Sequence, residues 1–409
     1  MLKRLIAIVF IFGCTAVAWS ILGSTVVLRT EVQDRKMKGA VSQLWGTVQT
    51  QRAPTVHYCT QHEVQNKRIE GGKTIAEIEI RTVVHPVALR SSQIDAALSL
   101  QHRQKGLLWY STYSVNFGGQ YSMTNDTAKL HEYFVEFTFP TQGAVYDDFR
   151  FSIDGKLLEE LAMSSGSVKH PIRLAPGQTA KVEIRYNSQG MDQWWYDFGE
   201  NVRKVRDFTL TMTTDFSEID FPANSISPTE RSRLGSGWKL VWKYNNLLSG
   251  VKIGMELPHK LNPGPWVSEV TFSAPVSLFL FFFLLFIFTT QRKIRIHPMN
   301  YFFIGTGFFS FHLLLAYLVD HISIHAAFLV CSLVSVGLIV SYMRLVVGAR
   351  LAFVEIALAQ FVYLVVFSYT FFFEGYTGLA ITILCVLTLF TVMQFTGRLD
   401  WEEVFRRRE

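Results

Sequence analysis

The chain has 409 residues, 49% of them hydrophobic and 18% charged, with a net charge of +6. Charged residues make up about 25% of ordinary soluble domains, so this composition excludes one. The basic excess falls in short runs beside apolar segments, such as Arg292, Lys293 and Arg295. That placement marks the cytoplasmic side of a membrane and excludes the clustered basic-aromatic surface of a nucleic-acid binder.

In chain order, the first apolar run is Leu5 to Leu28, preceded by Lys3 and Arg4. It is long enough to cross ~30 Å of hydrocarbon. Ala16-Val17-Ala18 resembles a signal-peptidase site, but the apolar stretch continues past it, so an uncleaved anchor is expected. Arg29 to Trp45 reads as a polar helix continuing out of the membrane.

From about Ala53 the pattern changes. Ile75–Arg81 and Tyr133–Phe139 alternate apolar and polar residues, the period of half-buried strands. Val56–Tyr58, Val182–Tyr186 and Phe208–Met212 are further strand candidates. Gly118-Gly119, Asp154-Gly155 and Pro176-Gly177 are turn signals. Cys59 is the only cysteine in this region, so no disulfide is expected within it.

Leu261-Asn-Pro-Gly-Pro-Trp266 is a breaker cluster. Five further apolar stretches follow, at about Val270–Thr290, Met299–Val319, Ala326–Met343, Leu351–Phe373 and Leu379–Phe395, each of the length a spanning helix needs. The fold expected is a membrane protein: a β-rich, sandwich-like extracytoplasmic domain plus an α-helical transmembrane bundle, six spans in total. The expected divisions are an anchor over 1–28, a periplasmic domain over 29–269, a five-helix membrane domain over 270–397 and a basic tail over 398–409.

Orientation follows from the short loops. Arg292, Lys293, Arg295, Arg344 and Arg350, with Arg398, Arg406, Arg407 and Arg408 in the tail, fall on one side; Asp320–His325 and Glu374–Gly378 hold no Lys or Arg. The basic side is the cytoplasm, which puts both termini inside and residues from about 29 to 269 in the periplasm. Arg29, Arg35, Lys36 and Lys38 dissent. Trp266, Tyr301, Tyr376 and Trp401 fall near span ends, where amphipathic rings favour the interface.

Several motifs resemble the CreD family of bacterial inner-membrane proteins, also described as colicin-tolerance or cell-envelope-integrity proteins. Trp45-Gly46, Gln49 and Pro54 follow the first span. Arg103-Gln-Lys-Gly106-Leu107 precedes Tyr110 and Tyr113, and Gly237-Trp238 precedes Trp242. In the membrane part, His297-Pro298-Met299-Asn300-Tyr301, the acidic-His pair Asp320-His321, and Gly397-Arg398-Leu399-Asp400-Trp401 stand where the family has similar motifs. Trp194–Gly199 and Ile219–Pro222 depart from the family pattern. The resemblance implies a role in envelope integrity and stress and supplies no catalytic residues.

Candidate chemistry is sparse. His57-x-Cys59-x-x-His62 has three ligand-type side chains but no second ligand pair nearby, so no metal or other cofactor is expected. Asp320, His321 and His325 close a short loop. Glu355 and His312 are intramembrane polar groups; a transporter or channel component would place them in its path. Cys331 and Ser335, with Gly337 and Ser341 on a neighbouring face, read as helix-packing positions. Trp194-Trp195-Tyr196 is an aromatic segment suited to a ligand platform or to a β-domain core. A membrane-bound envelope enzyme would need convergent polar residues in one outer cleft. The reading that these features favour is a non-enzymatic envelope-integrity protein whose partners are the lipid bilayer and a periplasmic or inner-membrane protein, with no nucleic acid.

Overall fold

A computed structural model describes residues 2–70, 73–105, 108–164, 166–199, 203–292, 294–373 and 375–397. The chain divides into two compact units, Met37–Lys260 and the combination of Met1–Lys36 with Leu261–Glu409.

Among its described residues, the second of these contains six helices long and apolar enough to cross a bilayer. They are α1 (Leu2–Trp45, whose last residues belong to the other unit), α2 (Pro263–Gln291), α3 (Pro298–Leu318), α4 (Ile324–Val347), α5 (Ala349–Phe372) and α6 (Thr377–Thr396). Prolines at the first turns of α2 and α3 cost no hydrogen bond there, because those amides have no intrahelical partner. Gly348, at φ +92, breaks the chain between α4 and α5.

Small residues let these helices approach closely. A Cβ on Gly307 of α3 would lie 2.5 Å from Ile339 Cγ1 of α4, and one on Gly23 of α1 would lie 2.8 Å from the Phe272 ring of α2. Cys331 and Ser335 are buried in the bundle, whereas Gly337 meets open space and Ser341 is exposed. Only half of that small-residue pattern is therefore packed. Trp266 and Tyr301 are also buried, Trp266 against Phe372 (ring centroids 4.4 Å apart) and Tyr301 edge-on to Phe282. Internal packing claims these two rings that the sequence assigns to the interface, while Tyr376 is exposed.

Helix α5 is irregular. Two π-helical segments, Ala352–Ile356 and Phe361–Val366, flank a short α-helical stretch that ends at Gln360. Such wide turns are frequent at functional positions.

The unit Met37–Lys260 is β-rich. An eight-stranded sheet runs in the order β14 (Glu230–Leu234), β15 (Gly237–Ser249), β13 (Arg203–Thr214), β4 (Ser91–Lys105), β5 (Leu108–Thr124), β11 (Thr179–Met191), β7 (Tyr146–Ile153) and β8 (Lys156–Leu157). A five-stranded sheet runs β3 (Lys73–Val87), β2 (Thr55–Glu70), β6 (His131–Thr138), β10 (Ser167–Leu174) and β9 (Ala162–Ser164), and a three-stranded sheet β1 (Gln49–Arg52), β12 (Gln193–Asp197) and β16 (Ile253–Glu256). Alternation along these strands supplies the core. Ala180, Val182, Ile184 and Tyr186 of β11 are buried on one face and pack in one cluster with Val115 and Phe117 of β5, Tyr133 and Val135 of β6, and Trp194 and Tyr196 of β12. All three sheets thus share one core.

Turn chemistry fits the sequence at two of three places. Asp154-Gly155, both with positive φ, closes a two-residue hairpin between paired Ile153 and Lys156. Pro176-Gly177 forms a turn in which Gln178 N–H donates to the Ala175 carbonyl, with Gly177 at φ +73. Gly118-Gly119, by contrast, lies inside β5, where a Cβ on Gly119 would sit 2.7 Å from the Tyr121 ring. The glycine there makes room for an aromatic rather than a turn.

Candidate functional sites

Within the unit Met37–Lys260, the last turns of α1 lead into β1 through the Trp-Gly segment. Gly46 N–H donates to the Ser42 carbonyl and takes φ +95, which terminates the helix; a Cβ there would lie 2.3 Å from the Gln189 carbonyl oxygen. The Arg103 guanidinium stacks on the Trp45 ring, 3.7 Å from its centroid, and donates to Gln101 Oε1 at 2.6 Å. Lys38 pairs with Asp192 at 2.5 Å. Gln49 is fully buried and donates through Nε2 to Ser188 Oγ and the Gln189 carbonyl, both at 2.8 Å. The structure therefore brings Trp45, Gly46 and Arg103 into one docking region. Gly106, of the same motif, lies outside the described residues.

Trp194 and Tyr196 point into the β core and are buried, while Trp195 is half-buried over Gly254 with its Nε1–H donating to Gln193 Oε1. The three rings therefore divide between two faces, as alternate residues of a strand must. The ligand-type trio also divides. His57 stacks on Phe134 with centroids 5.6 Å apart, whereas His62 on the opposite face of β2 shares Thr60 Oγ1 with His85. Cys59 is exposed. Among the described residues no group of three His, Cys, Asp or Glu side chains is placed to hold a metal. Burial, then the nearby Lys169 charge, lowers the pKa of His57.

In the membrane unit, His297 caps α3: its Nδ1 accepts from the Met299 amide at 3.2 Å, and Pro298 occupies the first helical position. At the other end of α3, Asp320 forms an ion pair with Arg29 of α1 at 3.1 Å. His325 stacks on Phe372 at 4.8 Å, and His321 N–H closes the loop on the Leu318 carbonyl. Asp320, His321 and His325 thus serve separate contacts.

Glu355 lies in the first π-helical segment of α5 and pairs through Oε1 with Arg292, 3.2 Å away, just past the end of α2. It lines a groove of about 420 Å³ between α2, α5 and α6. His312 is not on that groove. It is buried in α3, its Nδ1 bonded to the Phe308 carbonyl and its ring edge-on to Trp19. A polar chain that sequence reading missed crosses the bundle: Gln360 Nε2 donates to Ser335 Oγ, which donates to the Gly307 carbonyl. A lone glutamine in an apolar span was its only signal.

Residues 271–402 match the family model described as inner membrane protein CreD. The spanning helices that follow the β unit are therefore similar to the membrane part of that family. With six helices of spanning length and composition, the protein is an inner-membrane protein with a β-rich domain. The CreD match takes in Asp320, His321 and Glu355 and includes none of the β unit. The closing motif residues Arg398, Asp400 and Trp401 fall within it but outside the described residues. No curated protein matches the sequence. Among solved structures, the chain is similar to a putative nutrient binding protein from Legionella pneumophila. The identity is 10% and the TM-score 0.33, over 56% of this chain and 75% of that one, a likeness too slight to carry an argument.

Proposed function

We propose that this CreD protein is a non-enzymatic component of the bacterial cell envelope, with both termini in the cytoplasm. Its β unit faces the periplasm and docks a periplasmic or inner-membrane protein through the arm formed by β2 and β3. The supporting observation is the register of that arm. β2 pairs with β3 from Val56 through Glu70, but β6 supports β2 only from Thr55 to Tyr58. Past Tyr58 the arm is two-stranded, and β3 is the edge of its sheet. A two-stranded ribbon is marginal alone, and an open edge is a template for strand addition from a partner. The arm also exposes Ile80 and Val84.

The orientation is supported by the Arg and Lys residues that gather on one side of the short loops. Residues singled out in the sequence serve a helix cap, ion pairs and core packing, which favours bracing or sensing over catalysis.

One experiment tests both parts. A photo-crosslinking residue is placed at Ile80 or, as a control, at exposed Lys239 in the full chain, in cells whose outer face alone is reached by an impermeant thiol reagent. The expected result is labelling of Ile80→Cys from outside and a discrete adduct from Ile80 only. Labelling confined to lysed cells overturns the orientation; equal or absent adducts at the two positions overturn the docking arm.

A further inference from the structure

The groove between α2, α5 and α6 has the walls of a lipid-chain site and a polar end that is incompletely satisfied. Phe281, Leu285, Val362, Leu384 and Leu387 line its length. Its volume of about 420 Å³ is that of a small-ligand site, where roughly 300–1,000 Å³ is usual. Helix α6 covers it thinly, burying only Thr388 and Val392. The Thr388 hydroxyl is already engaged with the Tyr363 hydroxyl at 2.8 Å, so the middle of the groove offers little free polarity.

The end is different. Gln291 and Glu355 line it, with Arg292 paired to Glu355. Glu355 Oε1 has the guanidinium, but Glu355 Oε2 is shut from solvent with no hydrogen-bond partner. A carboxylate so poorly satisfied is costly, and a second cation beside its exposed part offsets that cost. Gln291 is the last residue of α2 and Glu355 stands within two turns of the start of α5, so this end lies at headgroup depth.

We propose that the groove holds one acyl chain of a glycerophospholipid whose primary-amine headgroup pairs with the partly exposed Glu355 carboxylate, with its phosphate beside Arg292. The pair is complementary to a zwitterion: a carboxylate for the ammonium and a guanidinium for the phosphate. An anionic headgroup without an amine meets the Glu355 charge unfavourably. A quaternary ammonium carries charge but no N–H to give.

The test uses the full chain purified in mild detergent and native mass spectrometry. Phosphatidylethanolamine, phosphatidylglycerol and phosphatidylcholine of the same acyl composition are added in turn. The wild type is expected to retain one phosphatidylethanolamine with a preference of about tenfold over the others, the scale of one charge-assisted hydrogen bond. Glu355→Gln is expected to lose that preference and Glu355→Asp to keep part of it. Leu387→Trp, which fills the groove, is expected to lose the bound lipid, whereas Leu329→Trp on exposed α4 surface retains it. Equal retention of the three headgroups by the wild type overturns the proposal, whether or not any variant folds. So does an unchanged preference in a folded Glu355→Gln protein.

Discussion

Arg29 of α1 reaches Asp320 just past the end of α3, with Nη1 3.1 Å from the carboxylate. Its other nitrogen donates to the Ala316 carbonyl, and its guanidinium lies over the Tyr317 ring, 5.2 Å from the centroid. The arginine that dissented from the loop count is thus held by the same element that carries the family-like acidic-His pair.

Arg29→Gln and Asp320→Asn should each lower the thermal stability of the full chain in detergent, and the double variant should lose less than their sum. Both side chains are about a third exposed, so the expected coupling is modest, roughly 1 kcal/mol. Additivity within about 0.5 kcal/mol would mean that the pair does not act as one.

Gly46→Ala should be the most damaging single change in the Trp-Gly segment. The position needs positive φ, and a Cβ would collide with the Gln189 backbone, which no rotamer relieves. A loss of about 1–3 kcal/mol is expected. Arg103→Lys should cost less, about 0.5–1 kcal/mol, because an ammonium gives up the planar stack on Trp45. Denaturant titration of the tryptophan fluorescence gives the order; Arg103→Lys proving worse than Gly46→Ala would contradict this account of the helix end.

Alkaline pH should unfold the β core through its tyrosines. Burial pushes the Tyr146 phenol up to about 12 and raises those of Tyr113, Tyr186 and Tyr196 as well. The unfolded chain releases these protons from about pH 10, before the folded chain does, so stability falls as pH rises through that window and is intact below it. Following phenolate absorbance together with circular dichroism checks this. Phenolate forming in step with loss of β signal is expected, and titration of all tyrosines near pH 10 with the β signal intact would refute it.

The spans and strands were legible because their periods are local: long uncharged stretches for helices, alternation for strands such as β6 and β11. The pairing of Trp45 with Arg103, or of Arg29 with Asp320, was not, because each joins elements far apart in sequence through sheet order and bundle packing. Gly118-Gly119 misled for the opposite reason. Two glycines look the same in a turn and beneath a Tyr121 ring, and only the neighbouring strand decides. Glu355 was visible as an intramembrane charge, but its groove exists only once α2, α5 and α6 are assembled.

Gln360 supplies the last test, because its two ends make opposite demands. Nε2 donates to Ser335 Oγ at 3.2 Å, while Oε1 is buried with no partner. Replacing both ends by an apolar chain of similar shape removes a weak bond and an unsatisfied acceptor together, so Gln360→Met should be neutral or stabilising. Ser335→Ala should cost more, on the order of 0.6 kcal/mol, since it strands Gln360 Nε2 as well and frees the Gly307 carbonyl. Adding Gln360→Met to Ser335→Ala should then recover part of the loss, because the stranded amide is gone. Thermal unfolding of the three variants in detergent measures the cycle. A Gln360→Met protein less stable than Ser335→Ala would show that the glutamine's oxygen has a donor worth keeping, and that α5 between its two wide turns is held by more than Ser335.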